Sequence, residues 1–283
     1  MLPLFLTILC STSIALILKQ NDSRKGDAIT LLMGNYLMAA GISFILILIK
    51  SEVNYSLPTL FFGMALAFLF VASFFSFAKA VGVAGTALAT VSSRLSVVVP
   101  VFLSILIYHE TPTKLQLAGF ACTLMTIGFF YRSLRNLSRG PLRITEYFYL
   151  LAVLIGIGIN DFAMKIFKQW RPESEEPFFL LTIFGFAFVY TALYLLIKRR
   201  PPRLATFRLG AILGIPNMFS SFFLLAALAQ LPAIIVYPLT NIGIILLTAL
   251  SALLIWQERL NRFGRLAMTS GVAAIILLSL QTS

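Results

Sequence analysis

The chain consists of long apolar runs separated by short polar segments. A membrane helix needs about 20 mostly apolar residues to cross a hydrocarbon core about 30 Å thick. Dividing the runs at charges and at turn residues predicts ten such helices. The predicted spans are residues 3–19, 28–49, 57–80, 84–108, 113–131, 146–168, 177–198, 208–230, 232–257 and 262–281. The pattern therefore predicts an all-α membrane protein with ten transmembrane helices.

The longest charge-free run, residues 209–257, must fold back on itself. As one helix it would be about 74 Å long at ~1.5 Å per residue, more than two membrane thicknesses. Gln230-Leu231-Pro232 is the natural turn, since proline is tolerated in the first turn of a helix. We expect the segment from Gly82 to Gly85 to form the corresponding turn earlier in the chain.

Two stretches of the chain repeat the same spacing. Glu110 and Glu258 each close an apolar run, and each lies 37 positions after a Ser-Phe-Phe triplet that begins at Ser73 or Ser221. A duplicated unit of five helices crosses the membrane an odd number of times, so its second copy enters from the opposite face. We expect two inverted five-helix repeats, an arrangement found in many transporters. The predicted repeats are residues 1–136 and 137–283.

Composition and charge support a membrane location. Hydrophobic residues make up 59% of the chain and charged residues only 11%, which is too apolar for a soluble surface. The net charge of +12 comes from Lys and Arg in the loops between spans, so we expect contact with the lipid bilayer and no nucleic-acid binding. The basic residues concentrate in the loops of one face, which predicts that those loops are cytoplasmic and both termini outside, in the cell (inner or plasma) membrane.

Arg94 lies near the middle of the fourth predicted span. A charge in this position is costly, by roughly 2.5–3.5 kcal/mol on insertion scales, and usually faces a polar cavity. Three groups could satisfy the guanidinium: Asp161, carbonyls freed near Pro100, or an anionic group on a substrate. Arg94 is therefore a candidate substrate-binding residue.

The sixth predicted span carries a polar cluster of Asn160, Asp161 and Lys165. Asp161 and Lys165 are four residues apart, so they share one helical face and could neutralise each other. One interpretation is an ion pair that does not contact the substrate. The other places all three residues in the cavity that receives Arg94, with Asp161 as the first candidate for proton coupling.

A polar stripe runs along the ninth predicted span. Tyr237, Thr240, Asn241 and Thr248 fall on one face of an otherwise apolar helix. Such a stripe indicates either hydrogen bonds between helices or the lining of a pocket. We take Tyr237 and Asn241, with Asn217 in the eighth span, as candidate substrate-binding residues.

Several kinds of site are not predicted. The chain has no G-x-x-x-x-G-K-[ST] phosphate loop. Its single histidine, His109, precedes Glu110 but starts no H-E-x-x-H motif, so we expect no bound metal, no cofactor and no enzymatic activity. Gly156 and Gly158 follow no strand, and they are read as packing residues. His109 remains the second candidate for proton coupling.

The repeated pattern resembles a known family. In each copy the fourth helix ends at a turn glutamate, and Gly119 or Ala267 follows it nine positions later. This arrangement is similar to that of the drug/metabolite transporter superfamily, EamA type. The resemblance implies a ten-helix fold and the export or exchange of amino acids, nucleosides, sugar phosphates or drugs. The Phe-Tyr-Asn-Asn run of the eukaryotic nucleotide-sugar members is absent.

Together these features predict a secondary transporter. We expect it to export or exchange a small polar metabolite by alternating access, with a carboxylate or phosphate on the substrate, as in an amino acid. The alternatives are a broad drug exporter, a scaffold or channel-like subunit without turnover, and a membrane-embedded enzyme. An enzyme would need a nucleophile with a base, a metal cluster or a carboxylate pair, and a scaffold would not need Arg94.

Overall fold

The protein is all-helical in the part that the structure describes. The computed structural model describes residues 1–23, 26–50, 53–134, 143–199, 201–255 and 261–280. Within these ranges it has eleven α-helices, one short 3-10 helix (Glu173–Glu175) and no strand. The α-helices are α1 (Leu2–Ser23), α2 (Ala28–Ile49), α3 (Leu57–Ala84), α4 (Thr86–Leu95), α5 (Val98–Tyr108), α6 (Lys114–Leu134), α7 (Ile144–Trp170), α8 (Glu176–Ile197), α9 (Leu204–Gln230), α10 (Ala233–Ile255) and α11 (Arg262–Ser279).

The helices match the predicted spans. Each span contains a helix whose ends differ from the predicted ones by four residues at most, and the fourth span contains both α4 and α5. Eight of the described stretches are long and apolar enough to cross a membrane, and Leu2–Leu18 is a shorter apolar helix. The all-α membrane fold with multiple spans is confirmed. Glu258 and residues 135–142, where the two predicted repeats meet, lie outside the described residues.

Both predicted turns within the longest apolar segments are present. Helix α9 ends at Gln230 and α10 begins at Ala233, so the chain folds back around Pro232. In the first half Gly85 separates α3 from α4 with a φ of 89°. A residue with a side chain rarely adopts this backbone angle, and a glycine does so without steric cost.

The fourth predicted span is broken between α4 and α5. Pro100 lies in the first turn of α5, where its ring would clash with the carbonyl of Ser96 in a continuous helix. That carbonyl instead accepts a hydrogen bond from the N–H of Val99, at 3.0 Å. The helix is therefore broken just before Pro100, and Arg94 lies in the last turn of the short helix α4.

The helices form two compact units, and neither is a continuous stretch of chain. Unit 1 contains α1, α2, α8, most of α9, the start of α3 and the end of α7. Unit 2 contains α4, α5, α6, α10, α11 and most of α7. This division differs from the predicted repeats, which remain a prediction. The bounds are Met1–Ala72 with Ile166–Ala227 for unit 1, and Ser73–Lys165 with Leu228–Ser283 for unit 2.

In unit 1, glycines bring the backbones of α2 and α9 into contact. A Cβ added to Gly210 would lie 2.0 Å from the carbonyl oxygen of Leu31, and one added to Gly34 would lie 2.2 Å from that of Phe207. Gly214 approaches the carbonyl oxygen of Asn35 in the same way, at 2.4 Å. Tight helix pairs in membranes usually pack through small residues. Lipid tails are as apolar as the side chains, so the hydrophobic effect does not drive helices together there.

Also in unit 1, a buried carboxylate joins the start of α3 to the end of α7. Glu175 forms an ion pair with Arg171, with Nε–Oε2 and Nη2–Oε1 distances of 3.0 and 2.5 Å. The hydroxyls of Ser56 and Thr59 also donate to Glu175. Because both carboxylate oxygens have donors, the charge is well compensated although the side chain is buried.

In unit 2, α6 packs against α11. A Cβ on Gly119 would lie 2.7 Å from Cγ of Leu278, and the hydroxyls of Thr126 and Ser270 lie 2.9 Å apart. Gly128 has open space around it. The close contact between α6 and α11 is therefore at Gly119 and not at Gly128.

Glycines also let α7 approach its neighbours within unit 2. A Cβ on Gly156 would lie 2.5 Å from the hydroxyl of Ser73, and one on Gly158 would lie 2.5 Å from Cβ of Val99. The interpretation of both glycines as packing residues is confirmed. The contact at Gly158 places α7 beside the break that separates α4 from α5.

Candidate functional site

Six of the seven predicted substrate-binding residues lie in unit 2, on three of its helices. Helix α4 carries Arg94, and the other two helices carry the rest. They are Asn160, Asp161 and Lys165 on α7, and Tyr237 and Asn241 on α10. The structure therefore brings most of the candidates into one unit.

Arg94 has few polar contacts. Its Nη1 lies 3.4 Å from Oδ1 of Asn241, which makes a long hydrogen bond. The charge of Asp161 attracts the guanidinium, but among the described residues no carboxylate lies within 4.0 Å of it. The carbonyl end of α4 adds a favourable partial negative charge beside the cation. Most of the five guanidinium N–H groups therefore remain free for another acceptor.

Tyr237 connects α10 to α7. Its hydroxyl donates a short hydrogen bond to the backbone carbonyl of Asp161. One turn further along α10, Nδ2 of Asn241 donates to the carbonyl of Tyr237 at 3.1 Å, which leaves Oδ1 facing Arg94. Through Tyr237 and Asn241, α10 thus contacts the backbone of α7 at Asp161 and the side chain of Arg94 on α4.

Asn160 contributes a buried polar atom that has no partner. Its Nδ2 donates to the hydroxyl of Ser73 at 3.2 Å. Its Oδ1 accepts no hydrogen bond within the described part of the chain, although the residue is buried. A buried acceptor left unpaired costs about 1–3 kcal/mol, so Oδ1 is a place where a bound molecule could donate.

The structure corrects the predicted pairing of Asp161 with Lys165. Nζ of Lys165 lies 2.8 Å from Oε1 of Glu110, at the end of α5, and also sits 5.9 Å from the ring centre of Tyr108. A turn glutamate distant in sequence, and not the residue four positions away, neutralises this lysine. Asp161 is consequently left with Arg94 as the cation that acts on it.

The remaining two candidates have different settings. Asn217 is on α9 and belongs to unit 1. His109 is exposed and caps the end of α5 in the left-handed conformation, with a φ of 51°. Its position fits a role in ending the helix, because the backbone N–H of His109 bonds to the carbonyl of Ser104.

Sequence reasoning missed two partners in this region, Glu110 and Ser73. Both belong to the repeated spacing, which was taken only as a sign of duplication. Glu110 binds Lys165, and Ser73 binds Asn160. The signal that could have found them is the recurrence of a polar residue at the same place in both copies, Ser73 with Ser221 and Glu110 with Glu258.

Comparison with known proteins agrees with this architecture. An uncharacterized protein of Haemophilus influenzae is 28% identical over 290 residues, which is 97% of this chain and 96% of that protein. A crystal structure with 16% identity covers 99% of this chain and 96% of its own, with a TM-score of 0.80, and thus shows a likeness of fold alone. The model of the EamA-like transporter family matches residues 1–132. This match shows that the first part of the chain is similar to the EamA-like transporters.

Proposed function

We propose that the protein is a secondary exporter or exchanger of a small polar metabolite that carries a carboxylate or phosphate, such as an amino acid. The substrate's anionic group binds Arg94, and Asn241, Tyr237 and Asn160 complete the polar lining. Transport proceeds by alternating access, for which the duplicated sequence is the main support.

The observation that carries the proposal is the small number of acceptors around the guanidinium of Arg94. Its guanidinium has one long hydrogen bond, to Asn241, and no carboxylate within 4.0 Å among the described residues. Arginine keeps its charge at any physiological pH, and its planar fork matches the two oxygens of a carboxylate or phosphate. A substrate anion would supply the acceptors that the protein does not.

Proton coupling through Asp161 is part of the proposal. Asp161 is a carboxylate in a membrane-spanning helix, and its cationic neighbour is the same Arg94. Binding of a substrate anion to Arg94 would weaken the attraction between the guanidinium and Asp161. The carboxylate would then take up a proton more readily, which links the two events.

Counterflow in proteoliposomes tests the proposed substrate class. Vesicles that hold the purified protein are loaded with one unlabelled compound and mixed with trace label of the same compound. The panel contains neutral amino acids, phosphorylated sugars and lipophilic cationic drugs. We expect labelled uptake for a compound with an anionic group, and uptake of cationic drugs alone would contradict the proposal in favour of a broad drug exporter.

Variants of Arg94 test the assigned residue with the same assay. Charged hydrogen bonds contribute about 1.5–3 kcal/mol each, so Arg94→Gln should reduce counterflow by about 10- to 100-fold. Arg94→Lys keeps the charge without the fork, and should raise the half-saturating concentration more than it lowers the maximal rate. Arg203→Gln removes an exposed arginine and serves as the matched control. Normal transport by Arg94→Gln would refute the assignment.

A further inference from the structure

The first turn of α10 is buried and needs acceptors for its free amides. Ala233, Ile234, Ile235, Val236 and Tyr237 are each at most 2% exposed. The first N–H groups of a helix have no partner within that helix, and water has little access to these. An unpaired buried donor is costly, so this helix start requires an acceptor from elsewhere in the chain.

Glu110 supplies that acceptor. Its Oε1 lies 3.0 Å from the amide nitrogen of Ala233, and its Oε2 lies 3.2 Å from that of Ile234. A carboxylate at a helix N-terminus also interacts favourably with the helix dipole. One side chain, 123 residues earlier in the sequence, therefore caps the buried start of α10.

Lys165 compensates the charge of Glu110. Its side chain is 4% exposed and that of Glu110 is 12% exposed, with 2.8 Å between Nζ and Oε1. The same carboxylate oxygen that accepts from Ala233 thus also faces the ammonium group. A buried lysine and a mostly covered carboxylate are each costly alone, and here each provides the counter-charge of the other.

These contacts connect α7 to α10 at two successive turns. Lys165, through Glu110, meets the start of α10 at Ala233. Four residues back along α7, the carbonyl of Asp161 meets the hydroxyl of Tyr237, four residues further along α10. Because four residues are about one helical turn, the two contacts fix both the position and the rotation of α10 beside α7.

We propose that Glu110 and Lys165 form a charge-neutral clamp that positions α10, and that Lys165 is not a substrate ligand. The clamp acts through Tyr237 and Asn241, whose place beside Arg94 depends on where α10 begins. Its relevance to transport rests on the proposed function, but the clamp itself does not. Glu110 and Lys165 are therefore positioning residues.

Hydrogen–deuterium exchange on the purified protein in lipid nanodiscs, without any substrate, tests the clamp. The peptide that covers residues 231–241 reports the amides that Glu110 binds. Loss of a helix cap costs about 1 kcal/mol, so Glu110→Ala should speed exchange in this peptide by about fivefold or more. Glu110→Gln keeps one acceptor but leaves Lys165 without a counter-charge, and should lower the melting temperature.

The charge-neutral double variant shows whether Glu110 and Lys165 stabilise the protein as a pair or independently. Lys165→Gln alone leaves the carboxylate of Glu110 uncompensated, whereas Glu110→Gln together with Lys165→Gln removes both charges. We expect the double variant to melt at a higher temperature than either single variant. Additive losses in the double variant would overturn the proposal. If Glu110→Ala does not fold, Glu110→Asp retains the charge with a shorter reach, and unchanged exchange in the 231–241 peptide would refute the cap.

Glu175→Gln is the matched control. Glu175 is also a buried glutamate with a basic partner, but it lies in unit 1. Its loss should speed exchange near residues 171–177 and leave the 231–241 peptide unchanged. Because no transported compound is used, failure of this test is distinct from failure of the proposed function, which the counterflow panel measures.

Discussion

Replacement of Gly210 by alanine gives a sharp test of the packing in unit 1. The new Cβ would lie 2.0 Å from the carbonyl oxygen of Leu31 and 2.9 Å from its carbonyl carbon. An ordinary contact begins near 3.4 Å, so α9 and α2 would have to separate by about 1.4 Å. Both atoms belong to backbone, and no flexible side chain can move aside.

The separation would affect more than one contact. Gly34 and Gly214 hold the same two helices at similar distances, so a rigid shift at Gly210 also opens those contacts. Overpacking typically costs 1–3 kcal/mol, and we expect a value of roughly 3 kcal/mol because the clash is with backbone. For a protein of this size the melting temperature should fall by about 5 °C.

Size-exclusion chromatography after heating in detergent measures this change. Gly41→Ala is the matched control, since Gly41 lies on α2 as well and a Cβ there would meet no atom within 4 Å. It should melt with the wild-type protein or slightly above it, because alanine favours the helix. If Gly210→Ala also melts with the wild type, the close approach of α2 and α9 is wrong.

Three further predictions follow from single residues. Asp161→Asn should abolish uptake driven by a pH gradient and spare counterflow, so equal pH-driven uptake by mutant and wild type would place the coupling elsewhere. In a background without native cysteines, Glu173→Cys should react with an impermeant thiol reagent in intact cells and Pro202→Cys should not. The reverse pattern would overturn the prediction that the basic loops are cytoplasmic. In the same detergent assay, Glu175→Gln should lower the melting temperature, because it breaks a buried ion pair with Arg171. Glu173→Gln is the control: its side chain is 76% exposed, so the melting temperature should not change.

The sequence predicted the positions of the helices well, because helix ends are marked by residues next to them in the chain. Apolar length and turn residues predict where a span begins and ends, and Pro232 and Gly85 mark turns that the structure contains. The same reasoning singled out Arg94, since a cation in a long apolar run is unusual whatever its partners are. Pro100 predicted a distortion of the same span, although the position of the break depends on the carbonyl of Ser96.

The partners of these residues could not be predicted from local spacing. Lys165 has an acidic residue four positions away, which suggested a pair on one helix, yet its counter-charge is Glu110 at the end of another helix. Tertiary contacts of this kind depend on which helices become neighbours. The contact of α2 with α9 was also missed, although Gly210 and Gly214 have the small-xxx-small spacing that often marks close helix pairs.

The discontinuous units determine the order in which contacts form during synthesis. Asn241 follows Arg94 by 147 residues, so at ~5–20 residues per second the ribosome needs roughly 7–30 s to deliver it. The amides at the start of α10, which the carboxylate of Glu110 caps, are likewise synthesised long after Glu110. A nascent chain that stops before α10 therefore contains Lys165, the counter-charge of Glu110, but lacks both the amides that Glu110 caps and the side chain that contacts Arg94.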